Sequence, residues 1–111
     1  MKIGLFQYSP EWENPEANIN AINEILDKQI SDEQIIVFPE MTLTGFSMNS
    51  HKFAEELDGI GTKFFMDLAR KTNMNIFAGI IEKDNFDIYN SLVHFNDQGL
   101  ITARYRKIHP L

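Results

Sequence analysis

The chain has 111 residues, 43% of them hydrophobic and 12% aromatic, enough for one compact domain or part of one and too apolar for a disordered segment. Its formal charge of −6 argues against nucleic acid as a partner, because phosphate binding needs a basic face, and the cations gather only at Arg104, Arg106 and Lys107. No apolar run approaches the roughly 20 residues of a membrane span, so a cytoplasmic place is expected, and with no cysteine in the chain disulfides, zinc thiolates and a cysteine nucleophile are all excluded from it.

Residues Lys2 to Tyr8 (KIGLFQY) carry no charge after the first position and predict a buried first strand, ended by Ser9-Pro10. Asn14-Pro15 reads as an N-cap followed by proline at the first helical position. Ile19, Ile22 and Leu26, with Ile25 beside them, then recur at helical spacing and predict an amphipathic helix to about Gln29. The run Gln34 to Phe38 (QIIVF) is short, β-branched and continuous, as in a strand covered on both faces, and Pro39 stops it.

Residues 39 to 60 mix Pro, Gly, Ser, Asn and Thr with scattered aromatics and predict a long ordered loop of the kind that often carries function. Thr62 to Thr72 places Phe64, Phe65, Leu68 and Ala69 on one helical face, with Arg70 and Lys71 in the last turn where cations suit the helix dipole. Ile76 to Ile81 (IFAGII) predicts another buried strand. Asp87 to Phe95 and Leu100 to Arg106 flank Asn96-Asp97-Gln98-Gly99 and predict a hairpin with glycine where positive φ is needed. The order β-α-β-α-β-β-β implies an α/β fold with parallel early strands.

Two residues stand where chemistry is expected. Glu40 follows directly on a strand, at the carboxyl end where open α/β sheets place ligands. A glutamate there is most often just solvated, but Phe38, Met41, Leu43 and Phe46 surround it in sequence and would desolvate it, raising its pKa toward a general base's range. Lys107 ends the last predicted strand. A lone lysine there commonly guards a sheet edge; the functional alternative is an ammonium aimed at a developing oxyanion.

The remaining polar features carry less. His51, His94 and His109 show no metal-ligand spacing, so no metal is expected, and His94 reads as a hydrogen-bonded structural histidine. Met41, Met48, Met66 and Met74 form no single stripe, and Gly59-Ile60-Gly61 is too little for a phosphate loop. Glu82, a carboxylate near the end of another strand, is given no catalytic role.

With those residues in view the sequence resembles the nitrilase, or carbon-nitrogen hydrolase, superfamily. The likeness begins with KIGLFQYSP and the Asn14-Pro15 helix. It continues through Val37 to Met48, which is similar to that superfamily's strand-Pro-Glu-x-x-x-x-Gly-Phe signature, and ends with Tyr89-Asn90-Ser91, the Asp97-Gln98-Gly99 turn and YRKIH.

The resemblance implies the N-terminal part of a four-layer αββα sandwich and a Glu-Lys-Cys triad. Glu40 would be the general base, Lys107 the oxyanion stabiliser, and a cysteine would form a thioester with the substrate acyl group. It implies no cofactor. The two side chains are expected at the same end of adjacent strands, because both must approach one reacting carbon. The wording TLTGFSMN and Lys-Ile-His-Pro is closest to the omega-amidase branch, which implies a small amide as substrate; the residues that would bind it stay unassigned.

Because this chain lacks the cysteine, residues 1–111 are expected to be the first portion of a longer domain and inactive alone. The longer form is expected to be a homo-oligomer and this portion to self-associate. The competing expectation is a self-sufficient small α/β binding or regulatory module without catalysis.

Overall fold

The computed structural model describes residues 3–5, 12–28, 35–39, 59–84 and 87–106. Within them the elements run β1 (Ile3–Leu5), α1 (Pro15–Lys28), β2 (Ile35–Val37), α2 (Ile60–Thr72), β3 (Asn75–Asp84), β4 (Asp87–Phe95) and β5 (Ile101–Arg106), the expected order. The strands form one mixed sheet in the order β1-β2-β3-β4-β5. β1, β2 and β3 are parallel, joined by the two helical crossovers, and β3, β4 and β5 form an antiparallel meander.

Local chemistry explains the element ends. The Asn14 side-chain oxygen accepts the Ala17 amide N–H at 3.1 Å, capping α1 as the Asn-Pro pair predicts. α2 starts at Ile60, two residues before its expected start, with Gly59 at the N-cap, and closes on Asn73 at φ 55°, a left-handed C-cap in which asparagine is tolerated. In the β4–β5 turn the Asn96 side-chain oxygen accepts both the Gln98 and Leu100 amides at 3.0 and 2.9 Å, and Gly99 takes φ +81°. A side chain at Gly99 would meet the Met66 carbonyl oxygen at 2.8 Å, so this turn packs directly on α2.

β3 runs from Asn75 to Asp84, longer than the expected Ile76–Ile81, because the antiparallel ladder with β4 continues past the apolar run through Glu82↔Tyr89 and Lys83↔Ile88. The apolar pattern marks what is buried, whereas ladder hydrogen bonds also hold polar residues in a strand.

Strand alternation divides the sheet into two faces. Ile36, Ile76, Ala78, Ile80, Val93 and Phe95 pack with Ile22 of α1 and Phe65, Leu68 and Ala69 of α2 in one core. Phe65 is its centre, with ring centroids 5.1 Å from Phe38 and 5.8 Å from Phe95.

The opposite rows hold Ile3, Leu5, Ile35, Val37, Asn75, Phe77, Gly79 and Ile81, then Ile88, Asn90, Leu92, His94, Ala103 and Tyr105. There Ile3 is 60% exposed, Leu5 71% and Tyr105 60%, so the expectation of a buried first strand fails for its side chains. Among the described residues the strand is an edge, and its two large residues point to the face opposite the described helices. β2 departs in the same way: Ile36 is buried while Ile35 and Val37 are only half-buried.

His94 is structural, as expected. Its ring stacks on Phe77 at 4.5 Å, one nitrogen lies 2.9 Å from the Asn75 side-chain oxygen, and the other lies 2.6 Å from the Thr102 hydroxyl. Both ring nitrogens are thereby engaged, which leaves neither for a ligand.

Candidate active site

Glu40 and Lys107 both lie outside the described residues, one immediately after Pro39 and the other immediately after Arg106. The strands that lead to them are described. β2 and β3 run parallel, and β5 is antiparallel to β4, which is antiparallel to β3, so β2 and β5 end at the same end of the sheet. That end is the carboxyl end of the parallel strands, the usual place for a ligand site.

The strands are not adjacent, contrary to the expectation from sequence. β3 and β4 stand between them, a backbone separation of three strand spacings or roughly 14 Å. The meander grows outward from β3, and each tight turn adds a neighbour on the far side, so β5 becomes the opposite edge.

At this end, on the helix-side face, the sheet carries a polar cluster that sequence reasoning missed. Glu82 is only 1% exposed. The Ser91 hydroxyl donates to its Oε1 at 2.7 Å, Arg104 donates to Oε2 at 3.0 Å, and Arg106 donates to both oxygens, from Nε at 3.3 Å and from its terminal nitrogen at 2.8 Å. Arg106 also donates to Asp84 at 2.6 Å, and its guanidinium lies 4.4 Å above the Tyr89 ring. These partners, Glu82 first and Asp84 second, push the Arg106 pKa further above its already high range, so this group is a fixed cation.

With both carboxylate oxygens occupied, Glu82 is built to hold β5 against β3 across β4 rather than to move a proton. The signal was available in part. Arg104 and Arg106 alternate and so share a face, and Glu82 continues the helix-side row of Ile76, Ala78 and Ile80; what no pattern supplies is the cross-strand register that brings them together. Among the described residues no group of three or more His, Asp or Glu is placed to hold a metal ion.

Comparison with known proteins places this arrangement. The model of the carbon-nitrogen hydrolase family matches residues 2–111. The chain belongs to the carbon-nitrogen hydrolase family. It is 34% identical to a nitrilase of Pyrococcus abyssi over 98% of the chain and 44% of that protein, and 27% identical to a 2-oxoglutaramate amidase of Bacillus subtilis over 96% of the chain and 42% of that protein. The chain therefore spans less than half the length of these relatives. Among solved structures an N-terminal amidase superposes with a TM-score of 0.87 at 27% identity, covering 95% of this chain and 27% of the amidase. A carbon-nitrogen hydrolase superfamily protein of Xanthomonas campestris superposes with a TM-score of 0.87 at 23% identity, which shows the shared α/β fold.

Proposed function

We propose that residues 1–111 form the N-terminal portion of one carbon-nitrogen hydrolase domain, which in complete form hydrolyses non-peptide C–N bonds of small amides to a carboxylic acid and ammonia. The observation that carries this reading is the sheet order, in which the strands leading to Glu40 and Lys107 run toward the same end, the carboxyl end of the parallel strands, in a family-matched fold. Glu40 acts as the general base, Lys107 stabilises the oxyanion, and a cysteine from the remainder of the domain forms and then releases a thioester. Likeness to a 2-oxoglutaramate amidase supports an omega-amide as substrate, and likeness to a nitrilase supports a nitrile as the alternative. A cytoplasmic place of action belongs to the same proposal and rests on composition.

In this reading the exposed apolar part of the sheet face opposite the described helices is the surface on which the rest of the domain stacks, and the 111-residue chain alone covers it with a second copy. Exposed Ile3, Leu5, Leu92 and Tyr105 on one face support that. A self-sufficient binding module would instead keep this face wet as a monomer.

The test is to extend the chain with a cysteine-bearing second half, from its own reading frame or from the Pyrococcus abyssi relative, and measure ammonia release from omega-amides and nitriles. Glu40→Gln and Lys107→Met should each lower turnover about a hundredfold or more, mainly through kcat. The unextended chain should release none. Turnover by the purified 111-residue chain, or full activity in both variants, would refute the assignment.

A further inference from the structure

The two helices turn their apolar sides to the sheet and carry unlike charge on their outward sides. On α1 the row Glu16, Asn20 and Glu24 is exposed, and on α2 the row Lys63, Asp67 and Lys71 is exposed. Each row advances by four residues, so its three side chains lie along one side of the helix. Glu16, Glu24, Lys63 and Lys71 form no ion pair with a described residue. Asp67 pairs with Arg70 through one carboxylate oxygen, at 2.5 Å, which leaves its other oxygen without a described partner.

The helices lie side by side. An open groove of about 200 Å³ separates them, lined by Asn23 of α1 and by Phe64, Asp67, Leu68 and Lys71 of α2. Both helices cross from the carboxyl to the amino end of the parallel strands, so they point the same way. Phe64 is half-buried at the groove, and so are the small residues Ala17 and Ala21 on α1.

Such a layer is complementary to itself. A two-fold axis along the helices lays α1 of each copy over α2 of the other, both running in the same direction. The row Lys63, Asp67, Lys71 repeats the spacing of Glu16, Asn20, Glu24, so one alignment sets glutamate by lysine, amide by carboxylate and glutamate by lysine again. That alignment also sets Ala17 by Phe64, small against large. Rows of this spacing on two helices interlock at a crossing of roughly 50°.

We propose that the outward face of α1 and α2 is a two-fold interface with a second copy of this chain, Glu16 and Glu24 of one copy pairing with Lys63 and Lys71 of the partner subunit. Symmetry forms every pair twice. The contact does not depend on the catalytic reading, and it lies on the opposite side of the sheet from exposed Leu92 and Tyr105, so either contact can form without the other. Exposed ion pairs are individually weak and screened by salt, so covalent capture at low salt is the suitable readout.

The chain has no cysteine, so single introduced cysteines report contacts between copies. One sample of the 111-residue chain carries Asn20→Cys and another Asp67→Cys; they are mixed, treated with a short bismaleimide, and the covalent dimers are sorted by peptide mass. The dimer joined through positions 20 and 67 should exceed those joined through like positions roughly fivefold or more, because only the crossed pairing opposes unlike charges. Adding Glu16→Lys and Glu24→Lys to the first chain should lower that yield roughly fivefold, and adding Lys63→Glu and Lys71→Glu to the second should restore it. All six positions are exposed, so none of these changes enters the core. A statistical mixture of the three dimers, or a yield that ignores the charge reversals, overturns the proposal and leaves this face to another partner. An excess of the dimer joined through position 20 on both copies overturns it in favour of α1 packing on α1.

Discussion

The two faces of the sheet come from the same five strands, one residue out of step, and they are finished differently. On the helix side Ile76, Ala78, Ile80, Val93 and Phe95 are at most 5% exposed, and the row ends in the Glu82, Arg104 and Arg106 cluster, where every charge has an opposite partner. On the other side apolar side chains are left in water at β1, Leu92 and Tyr105, and the one deeply buried polar side chain, Asn90, has no partner among the described residues. The helix-side face holds the continuous core, whereas the opposite face is buried at Ile81 and Asn90 and exposed at β1, Leu92 and Tyr105.

The largest break in that contrast should come from Phe65→Ala. Phe65 is fully buried and joins Phe38, Phe64 and Phe95, so truncation removes the centre of the helix-side core and should cost about 3–5 kcal/mol in urea unfolding. If the midpoint hardly moves, the core is not where the helices meet the sheet. Next in size, Glu82→Ala should cost roughly 1–3 kcal/mol, because it strands the buried Ser91 hydroxyl while Arg104 and Arg106 can turn partly to water. Hydrogen exchange sharpens this: protection should fall first at the β4–β5 ladder, and uniform loss would deny Glu82 its role as a tie between strands.

Gly99→Ala should cost on the order of 1 kcal/mol or more, since the added methyl must take positive φ and meets the Met66 carbonyl. The smallest effect on folding should come from the exposed apolar side chains of the opposite face. Leu92→Ser with Tyr105→Ser should change unfolding free energy by no more than about 0.5 kcal/mol each, while shifting sedimentation of the chain toward monomer. Sedimentation that stays associated after both changes would place self-contact on another surface.

Element type and order were legible because each element carries its own period. The Asn14 cap, the Phe65, Leu68 and Ala69 face of α2, the structural reading of His94 and the left-handed Gly99 are local and were read correctly. Where reading failed, the missing information was long-range. The Ile3 and Leu5 side chains look like core because they are apolar, but exposure depends on which face receives the helices. Glu82 looks like a spare carboxylate until the register places two arginines beside it.

The sequence by itself determined the family resemblance, the β-α-β-α-β-β-β order and the candidate pair Glu40 and Lys107, because motifs, caps and apolar periods are properties of neighbouring residues. Only the tertiary structure decided that β2 and β5 are separated by β3 and β4, that the arginines of β5 are held by Glu82, and that Asn90 is left without a partner among the described residues. Those facts depend on strand order and cross-strand register, and both are set by how the helices and turns lay the strands side by side, over distances that no local pattern spans.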